Sequence, residues 1–217
     1  MALLVKSSPS AVAGPRPSPE LLKKCRLATE DAKFLADIAL GEDAPFTWPP
    51  QIRYALFSLT HYQISSRICE AAARGEFVNP DHIIRFNVRF VALMVSEGNS
   101  TDEDLAGTMW GEARKTCAAK GYPNKWVGIE RCGYAMAQAH ISGDMRTVFN
   151  EVGCGSTRDW DHVFISIIQP SVDEATKYLA ITTGRGWLAA APTASAFGSY
   201  IVKLWRNRMR VAADCTQ

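Results

Sequence analysis

The chain has 217 residues, of which 47% are hydrophobic and 21% are charged, and its formal net charge is +2. These proportions are those of an ordinary globular protein with a sizeable core, and they exclude a chain that is disordered throughout. The small net charge conceals an asymmetry, because residues 177–217 hold six Lys or Arg residues and one Asp, which leaves −3 for residues 1–176. A basic C-terminal end predicts a site that attracts polyanions.

Residues 1–18 contain three prolines, Lys6, Arg16 and no acid. Such a segment buries too little apolar surface to offset the entropy lost on ordering, so we expect a flexible N-terminal arm. The arm precedes an expected helical core domain, residues 19–194, and a basic C-terminal helix and tail, residues 195–217.

Three helices are predicted first, each by a start and a stop signal. Ser18-Pro19-Glu20 combines an N-cap, a proline at the first helical position and an acid in the first turn, and Gly41 ends this helix. A second helix is predicted over 51–74, before Gly75. Asn79-Pro80 predicts the start of a third, which runs to Gly98.

Further helices are predicted over the second half of the chain. Ser100 and Glu103 form a capping-box pattern that predicts a fourth helix ending at Gly121. A fifth is predicted over 124–141, followed by shorter helical segments and a final helix from about 195 to 213. Only VFISII alternates as a strand would, and it leaves helix or strand open. The predicted fold is all-α, a compact domain of seven to nine helices.

Six cysteines occur without the short spacings of zinc sites. We expect free, mostly buried thiols in a reducing compartment. The N-terminal ALLV is too short for the apolar region of a signal peptide, and no apolar run of about 18 residues occurs, so we expect an intracellular localisation, either cytoplasmic or within a virion. No metal, cofactor or membrane partner is expected.

Arginine and aromatic residues are the candidate ligands for a polyanion. In the final helix Lys203, Arg206 and Arg210 fall within about 60° of arc, and arginine suits bidentate contact with phosphate while aromatic rings stack on bases. The alternative is that these cations only complement the dipole at the helix C-terminus. The complete predicted nucleic-acid-binding set is Arg85, Arg89, Arg185, Trp187, Lys203, Trp205, Arg206, Arg208 and Arg210.

These features predict a non-enzymatic structural protein that binds nucleic acid, RNA more than DNA, and assembles as a viral coat or nucleocapsid subunit does. The N-terminal arm would join neighbouring copies into a homo-oligomer. An alternative is a helical adaptor whose basic terminal helix docks into an acidic groove on another protein.

An enzymatic alternative rests on TMWGEARK, residues 108–115. The core of this segment, WGEAR, resembles the surroundings of the catalytic glutamate in SleB-type cell-wall hydrolases over about six residues. The resemblance implies that Glu112 is a general acid for cleaving a glycosidic bond, whereas a helix-surface interpretation pairs it with Lys115. A second catalytic interpretation makes Cys154, in the glycine-rich GCGS, a nucleophile with His162 as its base.

Overall fold

The computed structural model describes residues 14–41, 51–123 and 125–182, together with residues 199, 200, 203, 204 and 207. Within these ranges the chain forms helices and no strand, which confirms the all-α prediction. The first four helices are α1 (Pro19–Leu40), α2 (Gln51–Ala73), α3 (Pro80–Asn99) and α4 (Met109–Ala118).

Two longer helices follow, and each contains a π-helical segment. Helix α5 joins Lys125–Ala139, the π segment His140–Asp144 and Met145–Val152, and helix α6 joins Thr157–His162, the π segment Val163–Ile168 and Gln169–Thr182. A π segment widens a helix without ending it. The described ranges therefore hold six continuous helices, and the predicted count of seven to nine was wrong because segments predicted as separate helices are joined. VFISII is helical.

The predicted starts of α1 and α3 are confirmed by their caps. Ser18 Oγ accepts a hydrogen bond from Leu21 N at 3.2 Å, and Asn79 Oδ1 accepts one from His82 N at 3.2 Å. Gly41 follows α1 with φ of 59°, in the left-handed region that glycine tolerates. These boundaries depend on local hydrogen bonds, which explains why they can be read from neighbouring residues.

The predicted start of α4 was wrong. Thr108, not Ser100, caps the helix, because its Oγ1 accepts a hydrogen bond from Gly111 N at 3.1 Å. Ser100 instead donates to Ser96 O at 2.9 Å, which extends the end of α3. Thr101 and Asp104 exchange side-chain to backbone hydrogen bonds in a turn before Gly107, whose positive φ of 77° separates this turn from α4.

Helices α1, α2 and α3 form one packed layer. Cys25 bonds to Cys69 and Thr29 Oγ1 lies 2.9 Å from Ser65 Oγ, so α1 runs antiparallel to α2. Small buried side chains of α1, among them Ala32, allow this close approach. Asn87 Nδ2 of α3 donates to Ser65 Oγ of α2 at 2.9 Å. Asn87 also lies near Cys25 of α1, and Gly98 lies against Leu35 further along both helices, so α1 and α3 run in parallel.

The remaining helices cover this layer. Helix α2 also packs on α5 and α6, and α4 packs on α5. Asp159 of α6 accepts hydrogen bonds from Val78 N at 2.7 Å and Asn79 N at 2.8 Å, which fixes the corner between α2 and α3. The largest fully buried side chains come from α2, α3, α5, α6 and the corner between α2 and α3, and they include Phe77, Phe90, Leu56, Ile84, Ile129, Ile168 and Leu179. None of the helices in the described ranges has the length and apolar character needed to cross a bilayer.

The five cysteines within the described ranges are disulfide-bonded, which corrects the expectation of free thiols there. Cys25–Cys69 joins α1 to α2 and Cys117–Cys132 joins α4 to α5, with Cα–Cα distances of 5.8 and 4.6 Å. Cys154 is also disulfide-bonded. The pairs are 44 and 15 residues apart in sequence, so spacing alone did not reveal them. The expected reducing compartment loses its basis, since it rested on free thiols.

The last residues of the predicted arm lie against the helical body. Gly14 N donates to Gly75 O at 2.7 Å, and Pro17 is buried. Residues 1–13 lie outside the described residues. At the other end, residues 199, 200, 203, 204 and 207 are helical, and Tyr200 contacts Tyr134 of α5 with ring centroids 4.7 Å apart.

Candidate functional site

Three of the nine predicted nucleic-acid-binding residues lie in the described part of the chain. Arg85 and Lys203 are exposed, and Arg89 is partly exposed. The other six, Arg185, Trp187, Trp205, Arg206, Arg208 and Arg210, lie outside the described residues. Arg85, Arg89 and Lys203 are therefore the residues of the expected groove whose positions are described.

Arg89 is engaged in an ion pair. Its Nε and Nη2 donate to the carboxylate of Glu151 at 2.5 and 2.9 Å, a bidentate contact between α3 and α5. This hydrogen bonding raises the pKa of Arg89 and lowers the pKa of Glu151. A phosphate would have to displace Glu151 to reach the same donors. Arg85, four residues earlier on α3, makes no ion pair with the described residues.

A group of cations at one end of the helical layer was not singled out from the sequence. We call Arg16, Lys23, Lys24, Arg26 and Arg85 the basic end; all five are exposed, and none makes an ion pair within the described part of the chain. They share one end because α1 and α3 run in parallel and both begin there. The acids of the first turns, Glu20 and Asp81, offset part of this charge.

Three other arginines of the described chain are neutralised by neighbouring acids, whereas the exposed Arg131, Arg146 and Arg158 make no ion pair with the described residues. Arg67 pairs with Glu174, and Arg74 pairs with Glu70 and Glu76. Arg114 pairs with Asp102. The basic end differs from these sites because its charge is not offset by direct contact. The signal available in the sequence was the run KKCR at 23–26, with three cations in four residues.

Glu112 occupies the position that the helix-surface interpretation predicted. Its side chain is 66% exposed on α4, and its carboxylate accepts a hydrogen bond from Lys115 Nζ at 2.6 Å. A general acid for glycoside cleavage is held in a concave site shielded from water. Glu112 lacks such a setting, so the structure gives no support to a hydrolase built on it.

Cys154 and His162 do not form a nucleophile and base. Cys154 is disulfide-bonded, so it presents no thiol to activate. His162 Nε2 lies 3.0 Å from Glu76 Oε2, and its ring packs edge-on against Phe77. The cysteine interpretation was wrong because it assumed a free thiol.

A buried polar cluster, which sequence reasoning missed, lies where α2, α3, α4 and α5 meet. Trp110 Nε1 donates to both carboxylate oxygens of Asp144 at 3.2 Å, and His140 Nδ1 lies 2.6 Å from Asp144 Oδ2. The π segment of α5 places His140 and Asp144 side by side. The contact is a hydrogen bond in the tautomer whose Nδ1 carries the proton and donates it to the Asp144 carboxyl oxygen. Trp110 comes from the WGEAR segment, whose structural contribution is therefore its tryptophan.

A second histidine faces the first. The rings of His61 and His140 are 4.9 Å apart, and Phe90 stacks on His140 with ring centroids at 3.6 Å. Burial lowers the pKa of His61 well below its ordinary value, and His140 contributes in the same direction. Burial also lowers the pKa of His140, although Asp144 opposes the shift. Burial thus favours the neutral form of both imidazoles.

Three polar atoms of this region have no hydrogen bond to the described residues: Thr60 Oγ1, His61 Nε2 and His140 Nε2. Their side chains line a cavity of about 30 Å³ together with Phe57 and Phe90. A cavity of this size can hold one water molecule, which needs two to four polar partners. The arrangement can therefore hold one small polar molecule between two neutral imidazoles.

Across the described ranges, no three His, Cys, Asp or Glu side chains are grouped to hold a metal ion.

Comparison with known proteins returned no relative: no family model, no curated protein and no solved structure matches the chain.

Proposed function

We propose that the protein is a non-enzymatic helical protein that binds nucleic acid, with RNA as its principal ligand, and assembles in the manner of a coat or nucleocapsid subunit. The observation that supports this proposal is the basic end, where five exposed cations have no acidic partner among the described residues. Phosphate groups are the polyanion for which such a surface is suited, because each neutralised phosphate releases condensed counterions.

The basic end is better suited to contact the phosphate backbone of a nucleic acid than to recognise its bases. Three of its residues, Lys23, Lys24 and Arg26, lie in α1. Arg16 lies just before α1, and Arg85 lies in α3. Exposed lysine and arginine side chains that contact phosphates position a protein along the nucleic acid without reading its sequence. We therefore expect binding with little base preference and with strong dependence on salt.

The terminal helix is proposed as a second contact region. Tyr200 packs edge-on against Tyr134, and Leu204 packs against the core, which places Lys203 on the surface beside α5. Arg206, Arg208 and Arg210 follow in sequence.

The N-terminal arm is proposed to join neighbouring copies. Of the expected compartments we favour the assembled particle over the cytoplasm, because disulfides persist outside reducing compartments.

The experiment that tests this proposal is a nucleic-acid titration at several salt concentrations. The purified full-length chain is mixed with a fluorescent single-stranded RNA and with DNA of the same sequence. If the five cations of the basic end contact phosphates, log K falls against log[salt] with a slope of about −3.5. Particle size and the 260/280 nm absorbance ratio, before and after nuclease treatment, report on assembly.

A matched pair of variants separates specific contact from general charge. Lys23→Ala/Lys24→Ala removes two cations of the basic end. Lys33→Ala/Lys115→Ala removes two lysines that pair with Asp37 and Glu112. The proposal predicts that the first variant reduces the salt slope by about 1.4 and that the second leaves it nearly unchanged. Equal losses in both variants, or no binding at low salt, would reject the basic end as the interface.

A further inference from the structure

A pocket separate from the basic end lies at the other end of the α1–α3 pair. It has a volume of about 280 Å³ and is formed by residues of α1 to α5. Tyr54 and Phe57 of α2 and Trp110 of α4 supply aromatic walls, and Met94 and Met136 supply thioethers. Ile38 of α1, about half exposed, also lines the pocket, so the pocket reaches the protein surface there.

Glu97 is the acidic group of this pocket. Its Oε2 is shielded from solvent and has no hydrogen-bond partner among the described residues. Burial raises the pKa of Glu97, Asp144 raises it further, and Arg114 partly opposes both effects. A shielded oxygen without a donor is unfavourable, so a donor that enters the pocket and reaches Glu97 Oε2 would be stabilised there.

Arg114 also lines the pocket, but its hydrogen bonds go elsewhere. Its Nη2 donates to the backbone oxygens of Glu97 and Gly98, and its Nη1 donates to Asp102 at 3.1 Å. The Arg114 guanidinium therefore fixes the end of α3 without bonding to the Glu97 carboxyl group. An incoming anion would find these donors engaged and two acids, Glu97 and Asp144, nearby.

We propose that this pocket binds a small organic amine, with its apolar body between the aromatic and methionine side chains and its protonated nitrogen on Glu97. The combination of the Glu97 carboxyl group, whose shielded Oε2 has no donor among the described residues, and several aromatic rings suits an ammonium group through charge and cation–π attraction. The indole of Trp110 is held in place by its hydrogen bonds to Asp144, so one wall of the pocket is preorganised. A neutral apolar ligand would leave Glu97 Oε2 without a donor.

The test uses three probes of similar shape and different charge: benzylamine, benzyl alcohol and benzoate. Each is titrated into the full-length protein by calorimetry. The proposal predicts saturable binding of benzylamine at least tenfold tighter than that of benzyl alcohol, and no binding of benzoate. Glu97→Gln should lower the benzylamine affinity at least tenfold and leave that of benzyl alcohol unchanged. Glu112→Gln, at an exposed ion pair of α4, is the control and should change neither.

A second measurement locates the ligand without relying on a variant. In methyl-labelled protein, benzylamine should shift the Met94 and Met136 methyl signals, along with the Trp110 indole signal, while methionines distant from the pocket stay unchanged. Equal affinity for the amine and the alcohol would overturn the proposal, as would equal amine affinity in Glu97→Gln or shifts confined to other methionines. None of these outcomes depends on nucleic-acid binding, which the basic-end variants test separately.

Discussion

His140 and Asp144 lie at the two ends of one π segment of α5, and their side chains meet in the core with Nδ1 and Oδ2 2.6 Å apart. The contact is completed from another helix by Trp110, whose Nε1 donates to the same carboxylate. A buried carboxylate thus receives three hydrogen bonds from two donors. This cluster links α4 to α5 and is the basis of the first two predictions.

Removing the Asp144 carboxylate should destabilise the fold strongly. Asp144→Leu leaves the Trp110 and His140 N–H groups without an acceptor, and we expect a loss of about 2–5 kcal/mol in the free energy of unfolding. Urea unfolding monitored by circular dichroism measures this loss. Asp102→Ala is the control: its side chain is 88% exposed, so a change within about 0.5 kcal/mol is expected. A loss below about 1 kcal/mol for Asp144→Leu would show that the cluster contributes little.

Stability should fall as the pH drops below the ordinary histidine pKa of 6.5. Because the folded-state pKa values of His61 and His140 are lowered, the unfolded chain binds protons that the folded chain does not. The stabilisation is complete above pH 6.5 and is lost as pH falls toward the folded-state pKa values. The limiting slope for two histidines is about 2.7 kcal/mol per pH unit. Glu97, whose pKa is raised, acts in the opposite sense.

Urea unfolding at a series of pH values between about 7.5 and 5 measures this slope, above the range where most carboxyl groups titrate. His61→Leu should reduce the slope by about half, whatever its effect on absolute stability. A slope that is the same in His61→Leu and in the wild-type protein would contradict neutral burial of His61.

The disulfides should contribute substantially to stability. Cys25–Cys69 closes a loop of 44 residues and Cys117–Cys132 one of 15. Loop-closure entropy gives about 4 and about 3 kcal/mol, respectively. Paired Cys→Ala variants of each bridge, compared by urea unfolding, should follow this order. Peptide mass mapping without reductant should find both bonds, and free thiols at these four positions would contradict the pairing.

Arg85 and Arg89 should behave differently although they are four residues apart on α3. Arg85→Gln should weaken RNA binding and reduce the salt slope by about 0.7, because one phosphate contact is lost. Arg89→Gln should leave the slope unchanged and cost at most about 1 kcal/mol of stability, since its ion pair with Glu151 is partly exposed. RNA titrations and urea unfolding of both variants test this contrast. A larger loss of slope in Arg89→Gln would place Arg89 at the interface.

Several boundaries could be predicted because their signals are local. The caps at Ser18 and Asn79 and the end at Gly41 each involve residues within four positions of one another. The start of α4 was mispredicted although it is also local, because Ser100 and Thr108 both offer a capping oxygen. Gly107 decides between them by interrupting the helix. The joining of the later segments was missed because each π segment shifts the phase of the α-helical pattern on its two sides, so the 3.6-residue apolar spacing does not continue across it.

By itself, the sequence determined an all-helical fold, the limits of α1 to α3 and the apolar face of α1, because helix caps and periodicity depend on neighbouring residues. It did not reveal the disulfide pairs, the contact between His61 and His140, or the pairing of Arg89 with Glu151. Each of these joins residues of different helices, or of different parts of the chain, whose separation in sequence carries no signal. Tertiary packing decided them, because burial and proximity determine which thiols meet, which imidazoles lose their charge and which cations remain available for a partner.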